Sequence, residues 1–265
     1  MPEIPLPGGA RLHYLESNPS RRPTVLLLHG LGATGQSWQL QTPPLVQAGY
    51  RVLAPDAPGF GNSTSAKGAV SIAQMASAMV RLLRSLEIER ADVVGLSMGG
   101  TIALRLVLEH SELVGHLVLV STFAHLRIAK PMLIPYYAAR VLLVLLFGPR
   151  VQATAVARRV FSDQSQEPMR EAFLQEVASA APRSYRGAMR DLATFDVRQR
   201  LGEIRRPTLV VGGDQDTTIP LPLQKELVLG IRGARLAIVH GAGHAVNVDH
   251  AEEFNRILVE FLSSS

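Results

Sequence analysis

The chain has 265 residues, a length that suits one large α/β domain or one domain carrying an insertion. Hydrophobic residues make up 47% of it, which excludes a disordered chain, and the lack of cysteine excludes a disulfide framework, a cysteine-ligated zinc site and a cysteine nucleophile. The formal net charge is +5, but the arginines are scattered and aromatics reach only 5%, too few for base-stacking platforms, so no nucleic-acid partner is expected.

The first residues, "MPEIPLPGGARLHYLES", hold an early glutamate and three prolines. No basic start leads into an apolar core, so no signal peptide is expected and a cytoplasmic location is. "IPLPGGARLHYLE" predicts an opening hairpin that turns at Gly8 and Gly9. Six apolar runs follow: Thr24–Gly30, Tyr50–Asp56, Ala91–Leu96, His116–Ser121, Pro207–Gly213 and Arg235–His240. They are continuous rather than alternating, as in strands covered on both faces. Between them, "SIAQMASAMVRLLRSLEI", "MGGTIALRLVLEH" and "HAEEFNRILVEFL" carry apolar residues at helical spacing. This alternation predicts an α/β fold, a mostly parallel central sheet flanked by helices.

The alternation lapses between about Thr122 and Arg190, where only helix-like pieces occur. They are "YYAARVLLVLLF", "RVQATAVARRVF", "EPMREAFLQEVASA" and "YRGAMRDLATF". The expected organisation is a core of residues 1–121 and 191–265 with a helical insertion, 122–190, lying over the sheet. Within it, "PMLIPYYAARVLLVLLFGP" is nearly long enough to cross a bilayer, but Pro135 and Arg140 interrupt it. Its apolar and basic residues are not cleanly divided between two sides, so membrane contact is not expected.

In a doubly wound sheet, chemistry belongs on the loops that follow the strands. Ser97 follows the third apolar run at once and precedes a helix, with Gly95 and Gly99 two residues away on either side. Glycines there let strand and helix approach closely, and the turn lifts the hydroxyl clear of the backbone. The plainer alternative is a helix N-cap. A serine nucleophile needs a base, and the base needs an orienting acid. Among eight histidines, His244 in "HGAGHAVNVDH" stands between the last strand and the last helix, among small residues. His29 also follows a strand but opens a glycine loop; His13, His110, His116, His125, His240 and His250 suit packing or surface roles. The acid should also follow a strand, and "VVGGDQDTTIP" offers Asp214 and Asp216, either of which could instead cap the next helix. Asp216, further into the loop, is the preferred acid. Two backbone amides would hold an oxyanion: that of Met98, and that of Leu31 in "HGLGATGQSW". The latter loop spells GxGxxG, but no lysine-serine pair or ribose-binding acid accompanies it, which argues against a nucleotide.

Assembled, these parts resemble the α/β-hydrolase family. "HGLG" (29–32), "GLSMGG" (95–100), "GGDQDTTIP" (212–220) and "GAGHAVNVDHAEEF" (241–254) stand in the family's order, and Ser, Asp, His is its chain order. The family's acid usually closes a G-x-x-D spelling, which Gly213 to Asp216 fits. "PDAPGFGNS" (55–63) is similar to a structural loop of the family, and the insertion to its cap. The resemblance implies a serine hydrolase of the carboxylesterase or lactonase kind, with Ser97, Asp216 and His244 as triad and Leu31 and Met98 as oxyanion hole. It requires no cofactor and takes a small-molecule ester or lactone. The same triad would also serve an acyltransferase, a perhydrolase, a carbon–carbon bond hydrolase, or a ligand sensor that keeps the motifs without rapid turnover. Serine at position 97 argues against relatives whose aspartate nucleophile attacks epoxides or haloalkanes. The leucine- and valine-rich insertion, with Tyr136, Tyr137 and Phe147, suggests uncharged or moderately lipophilic esters, or equally ordinary packing between insertion and sheet; Arg140, Arg158 and Arg159 are expected at the surface rather than facing a substrate carboxylate.

Overall fold

The central sheet of the computed structural model contains eight strands in the order β1-β2-β4-β3-β5-β6-β7-β8. The structure describes residues 2–66, 70–126, 154, 157 and 167–264. The strands are β1 (Glu3–Pro5), β2 (Arg11–Ser17), β3 (Thr24–Leu28), β4 (Arg51–Pro55), β5 (Ala91–Leu96), β6 (Val114–Val120), β7 (Thr208–Gly213) and β8 (Arg235–Val239). β1 and β2 form the predicted hairpin, with Gly8 and Gly9 at φ +71° and +76°, and β2 pairs antiparallel with β4. All other pairings are parallel, so the carboxyl ends of β3 to β8 share one edge. The helices are α1 (Thr42–Gln47), α2 (Ile72–Ser85), α3 (Met98–Glu109), α4 (Glu167–Ser179), α5 (Pro182–Thr194), α6 (Leu221–Gly230), α7 (Val246–Asp249) and α8 (Ala251–Leu262).

The uninterrupted apolar runs became interior strands because helices cover both faces. Every residue of β3, β4, β5 and β7 is buried. β8 departs from the expectation of burial on both faces: it is the sheet's edge, and only Val239 is buried. One core layer joins α2 and α3 to the sheet through residues such as Leu26, Met79, Leu82, Ile102 and Leu119. The opposite layer places Trp38, Phe254, Leu258 and Phe261 against Val25, Val94 and Val211. α2 begins at a capping box, where Ser71 accepts from the Gln74 amide and the Gln74 side chain accepts from that of Ser71.

Two helices predicted in the insertion are present as α4 and α5. The pieces "YYAARVLLVLLF" and "RVQATAVARRVF" lie outside the described residues except for Thr154 and Ala157, as do Tyr136, Tyr137, Arg140, Phe147, Arg158 and Arg159. The chain departs and returns at adjacent points: His125 and Asp196 form an antiparallel bridge, and the Val197 amide donates to the Ala124 carbonyl at 3.0 Å. α4 and α5 bear directly on the core. A Cβ on Gly32 would meet the side chains of Val177 and Tyr185, and one on Gly59 would collide with Ser184.

Candidate active site

Ser97 forms the turn between β5 and α3 with φ 53° and ψ −112°, a left-handed conformation that is uncommon for a residue with a Cβ. Close backbone contacts enforce it. A Cβ on Gly95 would collide with the Gly99 carbonyl, one on Gly99 with that of Leu28, and one on Gly100 with the Thr122 side chain. The Ser97 amide donates to Val120 O at 2.9 Å, and the Thr122 hydroxyl donates to Ser97 O at 2.7 Å. The side chain does not cap α3, so the N-cap alternative is not realised. Among the described residues its hydroxyl makes no hydrogen bond, to His244 or to any other group.

The preferred base and acid do meet. His244 Nδ1 lies 2.9 Å from Asp216 Oδ2. The Asp216 side chain is fully buried, and its Oδ1 accepts from the amides of Thr218 and Ile219, both at 2.8 Å. An acceptor-only carboxylate at Nδ1 places the neutral ring's proton there and leaves Nε2 as an acceptor. Asp214 is engaged elsewhere, with exposed His240 at 2.9 Å and the Gly241 amide at 2.8 Å. Those two hydrogen bonds hold the Asp214 carboxyl below its usual range.

The loop carrying His244 spans the sheet edge. At one end, the Gln215 amide donates to Ala242 O at 3.0 Å, which puts Ala242 beside the loop that follows β7. At the other end, Asn247 Nδ2 donates to Ser37 O at 3.2 Å, and Gln41 Nε2 donates to Asn247 O at 2.7 Å. Ser37 and Gln41 belong to the segment following β3. β6 and β5 lie between β7 and β3, so residues 242–247 must cross the end of the strand that bears Ser97. The Gly243 amide, bonded to Asp249 Oδ2 at 3.1 Å, braces that crossing. Above it, Ala245 packs with Ala157, Leu174 and Val248.

The segment after β3 borders the serine: a Cβ on Gly30 would sit 3.7 Å from Ser97 Cβ. The amides of Leu31 and Met98 donate to no acceptor among the described residues. His29 is buried and serves as a brace. Its Nε2 accepts from the Ala57 amide at 2.9 Å, so Nδ1 carries the proton to Gly30 O at 2.8 Å. Burial pushes its pKa down, which keeps the ring neutral. Asp56, in the loop after β4, accepts from the amides of Gly35 (2.8 Å) and Asn62 (2.9 Å) and meets His13 Nδ1 at 2.9 Å. A Cβ on Gly61 would collide with it. From α4, Glu176 Oε1 accepts from the Thr34 hydroxyl at 2.9 Å, and burial raises the Glu176 pKa. Sequence reasoning missed Gln41, Asn247, Thr34 and Glu176; polar residues joined across such separations leave no spacing signal.

An eight-stranded, mostly parallel sheet with a serine turn after β5 and a His–Asp pair after β8 and β7 defines an α/β hydrolase. The chain belongs to that family: the model for the alpha/beta hydrolase fold matches residues 23–251. It is 33% identical to 2-hydroxy-6-oxo-6-phenylhexa-2,4-dienoate hydrolase of Comamonas testosteroni, over 95% of this chain and 91% of that one. Among solved structures it is similar to a hydrolase from Pseudomonas aeruginosa PA01, with TM-score 0.89, 28% identity and coverage of 99% and 98% of the two chains. The enol-lactonase from Burkholderia xenovorans LB400 matches at TM-score 0.89 and 26% identity, over 99% and 100%.

Proposed function

We propose that this hydrolase cleaves carboxylic esters or lactones through an acyl-enzyme on Ser97. One observation carries the reading: His244, paired with Asp216 of the loop after β7, sits on a loop that crosses the end of the strand presenting Ser97. In the proposed reaction, His244 Nε2 takes the hydroxyl proton as Ser97 Oγ attacks the carbonyl carbon. The amides of Leu31 and Met98 stabilise the oxyanion that forms. His244 then gives the proton to the leaving oxygen, water enters, and the acyl group departs as a carboxylic acid. Asp216 holds the ring's tautomer and stabilises the imidazolium. Residues 122–190 are proposed as a roof on a core of 1–121 and 191–265, and α4 and α5 press on the oxyanion loop at Gly32.

A second reading is hydrolysis of a carbon–carbon bond next to a carbonyl, favoured by the Comamonas relative named for a dienoate substrate. A panel of nitrophenyl esters, enol-lactones and vinylogous 1,5-diketones, assayed with wild type and Ser97→Ala, separates the two. The ester reading predicts the highest kcat/KM on esters or lactones, with turnover lost in Ser97→Ala. A preference for the diketones selects the second reading, and full ester turnover in Ser97→Ala refutes both. Covalent labelling by a fluorophosphonate, located by mass spectrometry, should mark Ser97 alone.

A further inference from the structure

We propose that Glu176 of α4 is a positioning residue: through Thr34 it fixes the turn that presents the Leu31 amide. The proposal rests on the reading that the Leu31 and Met98 amides hold an oxyanion. The segment after β3 turns tightly before it reaches Thr34. The Ala33 amide donates to Gly30 O at 3.2 Å, and Gly32 stands at φ +84°, a left-handed conformation that suits glycine. Leu31 lies inside this turn. His29 fixes its start by donating through Nδ1 to Gly30 O at 2.8 Å. Two carboxyl groups hold its far end by consecutive residues. Glu176 Oε1 accepts from the Thr34 hydroxyl at 2.9 Å, and Asp56 Oδ1 accepts from the Gly35 amide at 2.8 Å. Asp56 follows β4 and is itself held by His13 and the Asn62 amide. Glu176 reaches in from 142 positions along the chain.

α4 is seated firmly enough to act as the anchor. Val177, next to Glu176, is fully buried, and a Cβ on Gly32 would collide with it. Just past the end of α4, the Ala181 amide donates to Gly59 O at 3.1 Å, and the Ser184 and Ser65 hydroxyls hydrogen-bond at 3.2 Å. The helix and the turn that follows it therefore grip the loops after β3 and β4 together. Burying a carboxyl group costs desolvation, which an apolar residue at 176 would avoid. The hydrogen bond to Thr34 is what the carboxyl supplies in return, and it acts on a turn whose placement matters to the chemistry. Oxyanion donors work at about 2.7–3.1 Å, and a misplacement of about 1 Å can cost roughly a hundredfold in rate.

The test is a double-mutant cycle on Thr34→Val and Glu176→Ala, using the fastest substrate of the panel above. It reads kcat, KM and inhibition by a trifluoromethyl ketone, whose tetrahedral adduct carries the oxyanion. Each single variant should lower kcat by roughly ten- to a hundredfold while KM stays within about threefold. The double variant should lose no more than the worse single one, because both break the same link. The inhibitor should weaken in step with kcat/KM. Glu176→Gln keeps an acceptor for the hydroxyl and should hold kcat within about threefold of wild type. Losses that multiply in the double variant overturn the proposal, as do an unchanged kcat in Glu176→Ala, an equal loss in Glu176→Gln, or an inhibitor that binds every variant alike. Fluorophosphonate labelling of wild type keeps two failures apart. If Ser97 is labelled, multiplying losses sink the positioning role alone; if it is not, the acyl-enzyme reading falls and the positioning role with it.

Discussion

Gln41 and Asn247, 206 positions apart and both fully buried, grip each other through the two ends of the Gln41 amide, which meet the backbone carbonyl and the side-chain nitrogen of Asn247. Gln41 Nε2 donates to Asn247 O at 2.7 Å and to Asn255 Oδ1 at 3.0 Å; Asn247 Nδ2 donates to Ser37 O at 3.2 Å and Gln41 Oε1 at 3.4 Å. The cross-link ties the segment following β3 to the loop carrying His244. Gln41→Met keeps the shape but leaves the Asn247 groups short of partners, which costs about 1–3 kcal/mol per stranded group. Thermal melts should show the loss. Because the tie holds the loop of His244, the proposed base, kcat should fall more than KM rises, and more than in an equally destabilised Leu258→Ala control. Equal kinetics in the two variants would show that the tie serves stability alone.

Asp216 and Asp214 should separate sharply in kinetics. Asp216→Asn deprives His244 Nδ1 of its acceptor and favours the wrong tautomer, for which a loss on the order of 10⁴ in kcat is expected. Asp214→Asn loosens only the exposed contact with His240 and should stay within about threefold. Steady-state assays on one ester decide it, and the reverse ranking would transfer the role to Asp214.

Gly99→Ala should be among the most damaging single-methyl changes in the chain. The added Cβ meets the Leu28 carbonyl, which is backbone in an interior strand and cannot yield cheaply. Overpacking of this kind costs about 1–3 kcal/mol. Gly202→Ala, where no atom lies within 4 Å of the new methyl, should leave the denaturation midpoint unchanged.

Glu176 gives a pH signature of definite sign. Its folded pKa is raised by burial, so between the unfolded value and that raised value the native state holds more proton. Its contribution to stability therefore falls as pH rises through that window and stays low above it. Glu176→Gln removes the buried charge while keeping an acceptor for Thr34. The variant's melting temperature should exceed wild type's near pH 8, and the difference should close toward pH 4. A constant difference would assign it to packing.

Much of this architecture was legible because interior parallel strands are written as unbroken apolar runs. β8 was legible as a strand but not as an edge, since "RLAIV" is as apolar as its neighbours and strand order is not local information. Ser97 stood out because the tight crossing of β5 and α3 demands glycine at Gly95 and Gly99. The preference for Asp216 over Asp214 rests on position in the loop; Asp216 meets His244 and Asp214 meets His240. The Gln41–Asn247 tie and the Thr34–Glu176 contact were invisible. Amides, hydroxyls and a lone carboxyl satisfy one another by proximity after folding, and nothing in their spacing announces it.

The bridge between His125 and Asp196 brings the two ends of the intervening segment side by side. Closing a loop between fixed, neighbouring ends costs entropy that grows only with the logarithm of its length. The proposed roof could therefore be shortened, lengthened or exchanged for a relative's at that seam without disturbing strand order. Substrate range could thus change by transplantation while the chemical machinery beneath is inherited intact.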